Sequence, residues 1–130
     1  MDKKSILIAD DHPIFRSGLR TVIESDPSFV VAAEASDGEE AVSLAKTKCP
    51  DLVLLDMLLP KMSGPDVLKN LQADPATSKI PIVVLSSLPQ NNQQKLQREG
   101  AVAYFEKSRL DFSHNSQGLV QAINEILIQK

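Results

Sequence analysis

The sequence predicts a doubly wound α/β domain built on a mainly or wholly parallel sheet. Three observations carry this reading. Five short apolar runs, at residues 6–9, 29–35, 52–55, 82–85 and 102–105, alternate with five segments long enough for helices. The runs at 52–55 and 82–85 are apolar at every position, which suits strands buried on both faces rather than half-exposed ones. Proline or glycine punctuates most of the joints between runs and helices.

With 130 residues, 42% of them hydrophobic, the chain is sufficient for one domain over residues 1–130 with a substantial core. The formal net charge is -3, from 14 basic and 17 acidic side chains scattered along the chain. That distribution lacks the basic footprint a phosphate backbone needs, so direct nucleic-acid binding is not expected. The single cysteine, Cys49, excludes an internal disulfide and a thiolate metal cluster; it is expected as a small buried or half-buried residue at a helix end. Residues 1–5 lead into too few apolar residues for a signal peptide, and no run approaches the ~20 of a membrane span. A cytoplasmic protein is the expectation.

Each element has its own signal. The run at 6–9 ends in Asp10-Asp11. Pro13 then suits the first turn of a helix, and Phe15, Leu19, Val22 and Ile23 give it an apolar stripe before Asp26-Pro27. After the strand at 29–35, Ser36-Asp37-Gly38-Glu39 has capping-box spacing, with Ser36 as the expected cap and Glu39 reaching back. Ala41, Val42, Leu44 and Ala45 form the inner face of that helix. Pro50 separates it from the central strand, which ends in Asp56. Gly64-Pro65-Asp66 starts a third helix with Val67, Leu68 and Leu71 inward. The run at 82–85 ends in Ser86-Ser87, and residues 89–99 read as a glutamine-rich helix with Leu96 as its one large apolar anchor, capped by Gly100. The strand at 102–105 leaves through Glu106-Lys107. Leu119, Val120, Ile123, Ile126 and Leu127 then give a closing amphipathic helix that reaches the end of the sequence, so no output domain is expected within these residues.

In a parallel sheet the strand exits share one edge, where ligands bind. Here that edge collects Asp10, Asp11, Asp56, Ser86 and Lys107. Three acids in one small volume are unfavourable unless protonated or sharing a cation. Their hard oxygens favour Mg²⁺, which keeps several waters. Such an ion with a lysine and a hydroxyl suits a phosphoryl group, and a carboxylate could itself be the nucleophile, giving an aspartyl phosphate. Asp56, alone on the central strand, is the natural candidate. His12 and His114 are expected to be structural or solvated, because Mg²⁺ seldom takes imidazole.

At these residues the chain resembles the receiver domain of two-component response regulators. The resemblance rests on Asp10-Asp11-His12-Pro13, the stretch from Asp56 to Gly64, Ser86, and Tyr104-Phe105-Glu106-Lys107. It implies a flavodoxin-like sheet of order 2-1-3-4-5 with five helices. It also implies roles: Asp56 accepts a phosphoryl group from the phosphohistidine of a sensor histidine kinase, from a phosphotransfer protein, or from a small acyl phosphate. Asp10, Asp11, Asp56 and the Leu58 carbonyl hold Mg²⁺, and Lys107 pairs with phosphoryl oxygens. Ser86 and Tyr104 form the switch, read out on the face made by the 89–99 helix, the last strand and the closing helix. Through that face the domain would meet an output protein or domain, or form a homodimer. No catalytic turnover beyond its own phosphorylation and dephosphorylation is implied. One departure is Ser108, where relatives commonly carry proline after the lysine.

Two other readings stand beside this one. Phosphatases of the haloacid dehalogenase type also form aspartyl phosphates on α/β sheets, but they place a second acid two residues after the nucleophile, where this chain has Leu58. A receiver-like interaction module that is never phosphorylated would be marked by loss of an acid or the lysine, and none is lost.

Overall fold

The computed structural model of the chain describes residues 3–57, 59–86, 100–107 and 117–128. Within them five strands, β1 (Lys4–Ala9), β2 (Phe29–Ala35), β3 (Leu52–Asp56), β4 (Ile82–Ser86) and β5 (Ala103–Glu106), form one sheet in the order β2-β1-β3-β4-β5. Every neighbouring pair is parallel. The expected sheet order and direction are therefore observed. Four helices are described, α1 (Pro13–Glu24), α2 (Gly38–Lys48), α3 (Gly64–Ala73) and α4 (Gln117–Ile128). The fifth, expected over residues 89–99, lies outside the described residues.

Two apolar layers explain why the central strands carry no polar alternation. Leu7, Ala9, Val53, Leu55, Ile82 and Val84 pack with Ala41 and Ala45 of α2 and Val67, Leu68 and Leu71 of α3. Ile6, Ile8, Leu52, Leu54, Val83 and Leu85 face the other way, onto Leu19 and Ile23 of α1 and Leu119 and Ile123 of α4. Successive residues of one strand thus serve opposite layers. Each fully buried Leu or Ile contributes on the order of 1.5–3 kcal/mol relative to exposure.

Helix ends show where local chemistry departs from the simple pattern. The cap of α2 is Asp37, not Ser36: the Asp37 carboxylate accepts the Glu40 N–H (2.8 Å), and Glu40, not Glu39, reaches back to the Ser36 N–H (2.8 Å). The box is shifted by one residue, and Gly38 is the first helical position. Its N–H donates to the Pro60 carbonyl (3.1 Å), and a Cβ there would run into the Met62 carbonyl oxygen. Glu24 ends α1 by accepting the Val31 N–H of β2 (3.0 Å). That bond, with Arg20 beside it, holds the Glu24 carboxyl below its ordinary range. The resulting small stabilisation is present above the unfolded carboxyl's pKa and is lost as pH falls through the folded one.

Cys49 is exposed rather than buried or half-buried, and it caps α2 in the left-handed region (φ 45°, ψ 59°). That conformation favours glycine, because a Cβ crowds the following carbonyl. Cys49→Gly is accordingly expected to raise stability by about 1 kcal/mol, seen as a higher midpoint in chemical denaturation; a lower midpoint would refute the assignment. Val102 is another small correction. It is 49% exposed and precedes β5, which begins at Ala103 and includes Glu106.

Candidate functional site

The acidic turn is fixed at the junction of β1 and α1. The Asp10 N–H donates to the Ala35 carbonyl (3.0 Å), so β2 holds its backbone. Pro13 occupies the first turn of α1 and keeps the preceding residue out of the helical region. His12 therefore caps the helix in an extended conformation (φ -97°, ψ 104°), and its N–H donates to Asp10 Oδ1 (2.8 Å). One turn on, Arg16 Nη1 donates to the Asp10 carbonyl (2.7 Å) while its Nε pairs with Glu34 of β2 (3.0 Å). Glu34 also takes Arg20 Nη1 (2.8 Å), so two arginines tie α1 to β2 beside the acids.

The other members arrive by register. Asp56 ends β3 opposite Leu85 of β4, and the Met57 N–H donates to the Leu85 carbonyl (3.1 Å). Ser86 ends β4 opposite Glu106, which puts Lys107 one residue beyond that rung. Asp10, Asp56 and Ser86 are all buried.

Lys107 closes the group. Its Nζ lies 2.7 Å from Asp10 Oδ2 and 3.0 Å from Asp56 Oδ2, with the lysine side chain only 11% exposed. His12 Nδ1 stands 3.1 Å from Asp10 Oδ1, 3.2 Å from Asp11 Oδ1 and 3.9 Å from Asp56 Oδ2. Three carboxylates thus face one lysine and one largely exposed imidazole. Asp10 Oδ2 and Asp11 Oδ1 are buried without a directed hydrogen bond; the Lys107 contact to Asp10 Oδ2 is an ion pair. Lys107 supplies one positive charge to this group, and three carboxylates beside it leave negative charge that a further cation would offset. One ligand atom from each of Asp10, Asp11, His12 and Asp56 lies within 4.8 Å of the others, so the group could hold a metal ion. The oxygen donors suit Mg²⁺.

The expected site residues that are described therefore meet at one edge, with two qualifications. Tyr104 is half-buried and packs against the layer formed with α2 and α3, one strand residue before Phe105 of the opposite layer. Leu58, expected to supply a carbonyl ligand, and Ser108 lie outside the described residues. His12, expected to be structural or solvated, stands at the cap of α1 with its ring largely exposed. The contacts of Arg16 with Asp10 and of Phe15 with Lys107 carried no signal in the sequence, because they depend on where distant segments meet.

An open parallel sheet with acids and a lysine at its carboxyl edge defines a flavodoxin-like α/β class with its site at the strand exits. Residues 6–122 match the family described as response regulator receiver domain, and the chain belongs to that family: it is a receiver domain of two-component response regulators. Among curated relatives, it is 37% identical over 106 residues to a nitrate/nitrite response regulator protein homolog of Haemophilus influenzae, covering 82% of this chain and 50% of that protein. It is 36% identical over 103 residues to the nitrate/nitrite response regulator protein NarL of Escherichia coli strain K12, covering 79% and 47%. A solved two-component response regulator of the LuxR family from Aurantimonas sp. SI85-9A1 superposes with a TM-score of 0.85 at 32% identity, over 99% of this chain and 88% of that one. The chain spans about half the length of the curated relatives it matches. No described helix is long and apolar enough to cross a membrane.

Proposed function

We propose that residues 1–130 act as one Mg²⁺-dependent phosphoacceptor domain, with Asp56 as the nucleophile. The observation that carries this reading is the placement of Lys107 Nζ 3.0 Å from the buried Asp56 carboxylate, beside Asp10 and Asp11. An Asp56 oxygen bonds to phosphorus as the bond from phosphorus to the donor breaks. The donor's imidazole nitrogen, or the acetate oxygen of acetyl phosphate, departs with that electron pair. Lys107 lies where it can follow the phosphoryl oxygens as they arrive, and the Ser86 hydroxyl donates to one of them. Asp10, Asp11 and Asp56, with the Leu58 carbonyl, would hold Mg²⁺, which supplies charge neutralisation of the transferring group.

The added charge at Asp56 is read out through Ser86 and Tyr104, on the face formed by β5 and α4, where an output partner or a second copy would dock. The phosphoryl donor is a sensor histidine kinase or phosphotransfer protein, the setting is cytoplasmic, and the domain turns over no substrate beyond its own phosphoryl group. Support for these statements comes from the family and from the complete set of acids, hydroxyl and lysine. Incubation with acetyl phosphate and Mg²⁺ is expected to add one phosphoryl group to the intact protein. The addition should vanish with a chelator and in Asp56→Asn; equal uptake by the wild type and that variant would refute the assignment.

A further inference from the structure

We infer that Phe15 is a positioning residue for Lys107, acting on the Asp56 site through the face its ring turns to the ammonium. The inference rests on the phosphoacceptor reading for its effect on rate. Its structural premise stands without it.

The Phe15 ring centroid lies 4.4 Å from Lys107 Nζ, well inside the ~6 Å over which a ring's negative face attracts a cation. The same nitrogen is 2.7 Å from Asp10 Oδ2, 3.0 Å from Asp56 Oδ2 and 3.2 Å from His12 Nδ1. The ammonium donates to Asp56 Oδ2 and is held by Asp10 Oδ2 as an ion pair, with the His12 ring beside it. The ring covers a further side. A lysine stem has four flexible carbons and its head is strongly hydrated, so an ammonium tends to wander toward water unless its surroundings hold it. Here the ring stands against the ammonium and adds attraction of its own.

The ring itself is well placed to do this. Phe15 lies in the first turn of α1 and packs against the layer that includes Ile8, Leu54 and Leu85. The next residue, Arg16, ties the same helix to the Asp10 carbonyl (2.7 Å). One helical turn therefore fixes both an acid that Lys107 pairs with and the surface it rests on. A leucine at this position would fill much of the volume without the attraction. The charge on Lys107 is wanted where phosphoryl oxygens arrive, and a displacement of the ammonium weakens that electrostatic assistance.

The test replaces Phe15 with 3,4,5-trifluorophenylalanine, which keeps the shape and weakens the ring's negative face, alongside Phe15→Tyr and Phe15→Leu. The phosphorylation rate with acetyl phosphate and Mg²⁺ is expected to fall roughly threefold to tenfold in the trifluoro and leucine proteins and to be largely retained in the tyrosine one. The thermal midpoint of the trifluoro protein should match the wild type, which separates positioning from a purely structural role. Independently, the Lys107 ε-protons should show an upfield ring-current shift in the wild-type spectrum that disappears in Phe15→Leu. Equal rates for the trifluoro and wild-type proteins, or ε-proton shifts indifferent to Phe15→Leu, would overturn the inference. Absence of phosphorylation in all of the proteins would sink the phosphoacceptor reading and the effect on rate, while the ring-current result would still decide whether the ring holds the ammonium.

Discussion

Lys107→Met is expected to lower the stability of the metal-free protein by about 3 kcal/mol and to slow phosphorylation by acetyl phosphate about a hundredfold. The first effect follows from what is left behind. Asp10 and Asp56 are 0% and 2% exposed at their side chains, and Lys107 is the ammonium paired with both. Removing one partner of a buried pair strands the other charge in a poorly solvating site, which is far more damaging than losing an exposed ion pair. The second effect follows from losing a fixed positive charge where charge develops. Urea denaturation with and without Mg²⁺ separates the two causes. A divalent ion shared by the acids should recover part of the lost stability of the variant, whereas it cannot restore the missing ammonium at the phosphoryl group. A stability unchanged in chelator would show that the acids do not depend on Lys107 for neutralisation.

Gly38→Ala is expected to destabilise the fold by about 2 kcal/mol and to disturb the segment that follows Asp56. The added carbon would meet the backbone carbonyl and Cβ of Met62, and no flexible side-chain tip stands there to move aside. Relief requires α2 or the 59–63 segment to shift, and either weakens the bond from the Gly38 N–H to the Pro60 carbonyl. Lys61 of that segment already has a positive φ of 67°, and its ammonium is 3.6 Å from Asp37, the cap of α2. The segment is therefore held by α2 from two directions. Alanine elsewhere in a helix is favourable, so a higher unfolding midpoint in Gly38→Ala would mean that the segment yields easily and that its contact with α2 is weak.

The parts of this protein that were legible in the sequence are those set by long-range burial. Runs such as Leu52 to Leu55, short and bounded by Pro50 and the 60–64 turn residues, read as strands covered on both faces, and once the sheet is parallel the positions of Asp10, Asp56, Ser86 and Lys107 at one edge follow from where the runs end. Chemistry set by a neighbouring loop was not legible. The close approach of Met62 to Gly38 is one such case, which no local pattern encodes, and the cap of α2 falls on Asp37 where Ser36 has equally good capping chemistry. Cys49 was misjudged for a related reason: a free cysteine is usually buried, but the end of α2 turns it outward in a left-handed conformation. Arg16 and Phe15 looked like ordinary helix residues until Asp10 and Lys107 were placed beside them.

Chemical trapping of the modified residue tests the account most directly. Borohydride reduces an acyl phosphate of aspartate to homoserine, and peptide mapping then locates it. After treatment with acetyl phosphate and Mg²⁺, homoserine is expected at position 56 and at no other acid. Its appearance at Asp10 or Asp11 instead, or an unmodified Asp56 in protein shown to be folded, would contradict the assignment of the nucleophile.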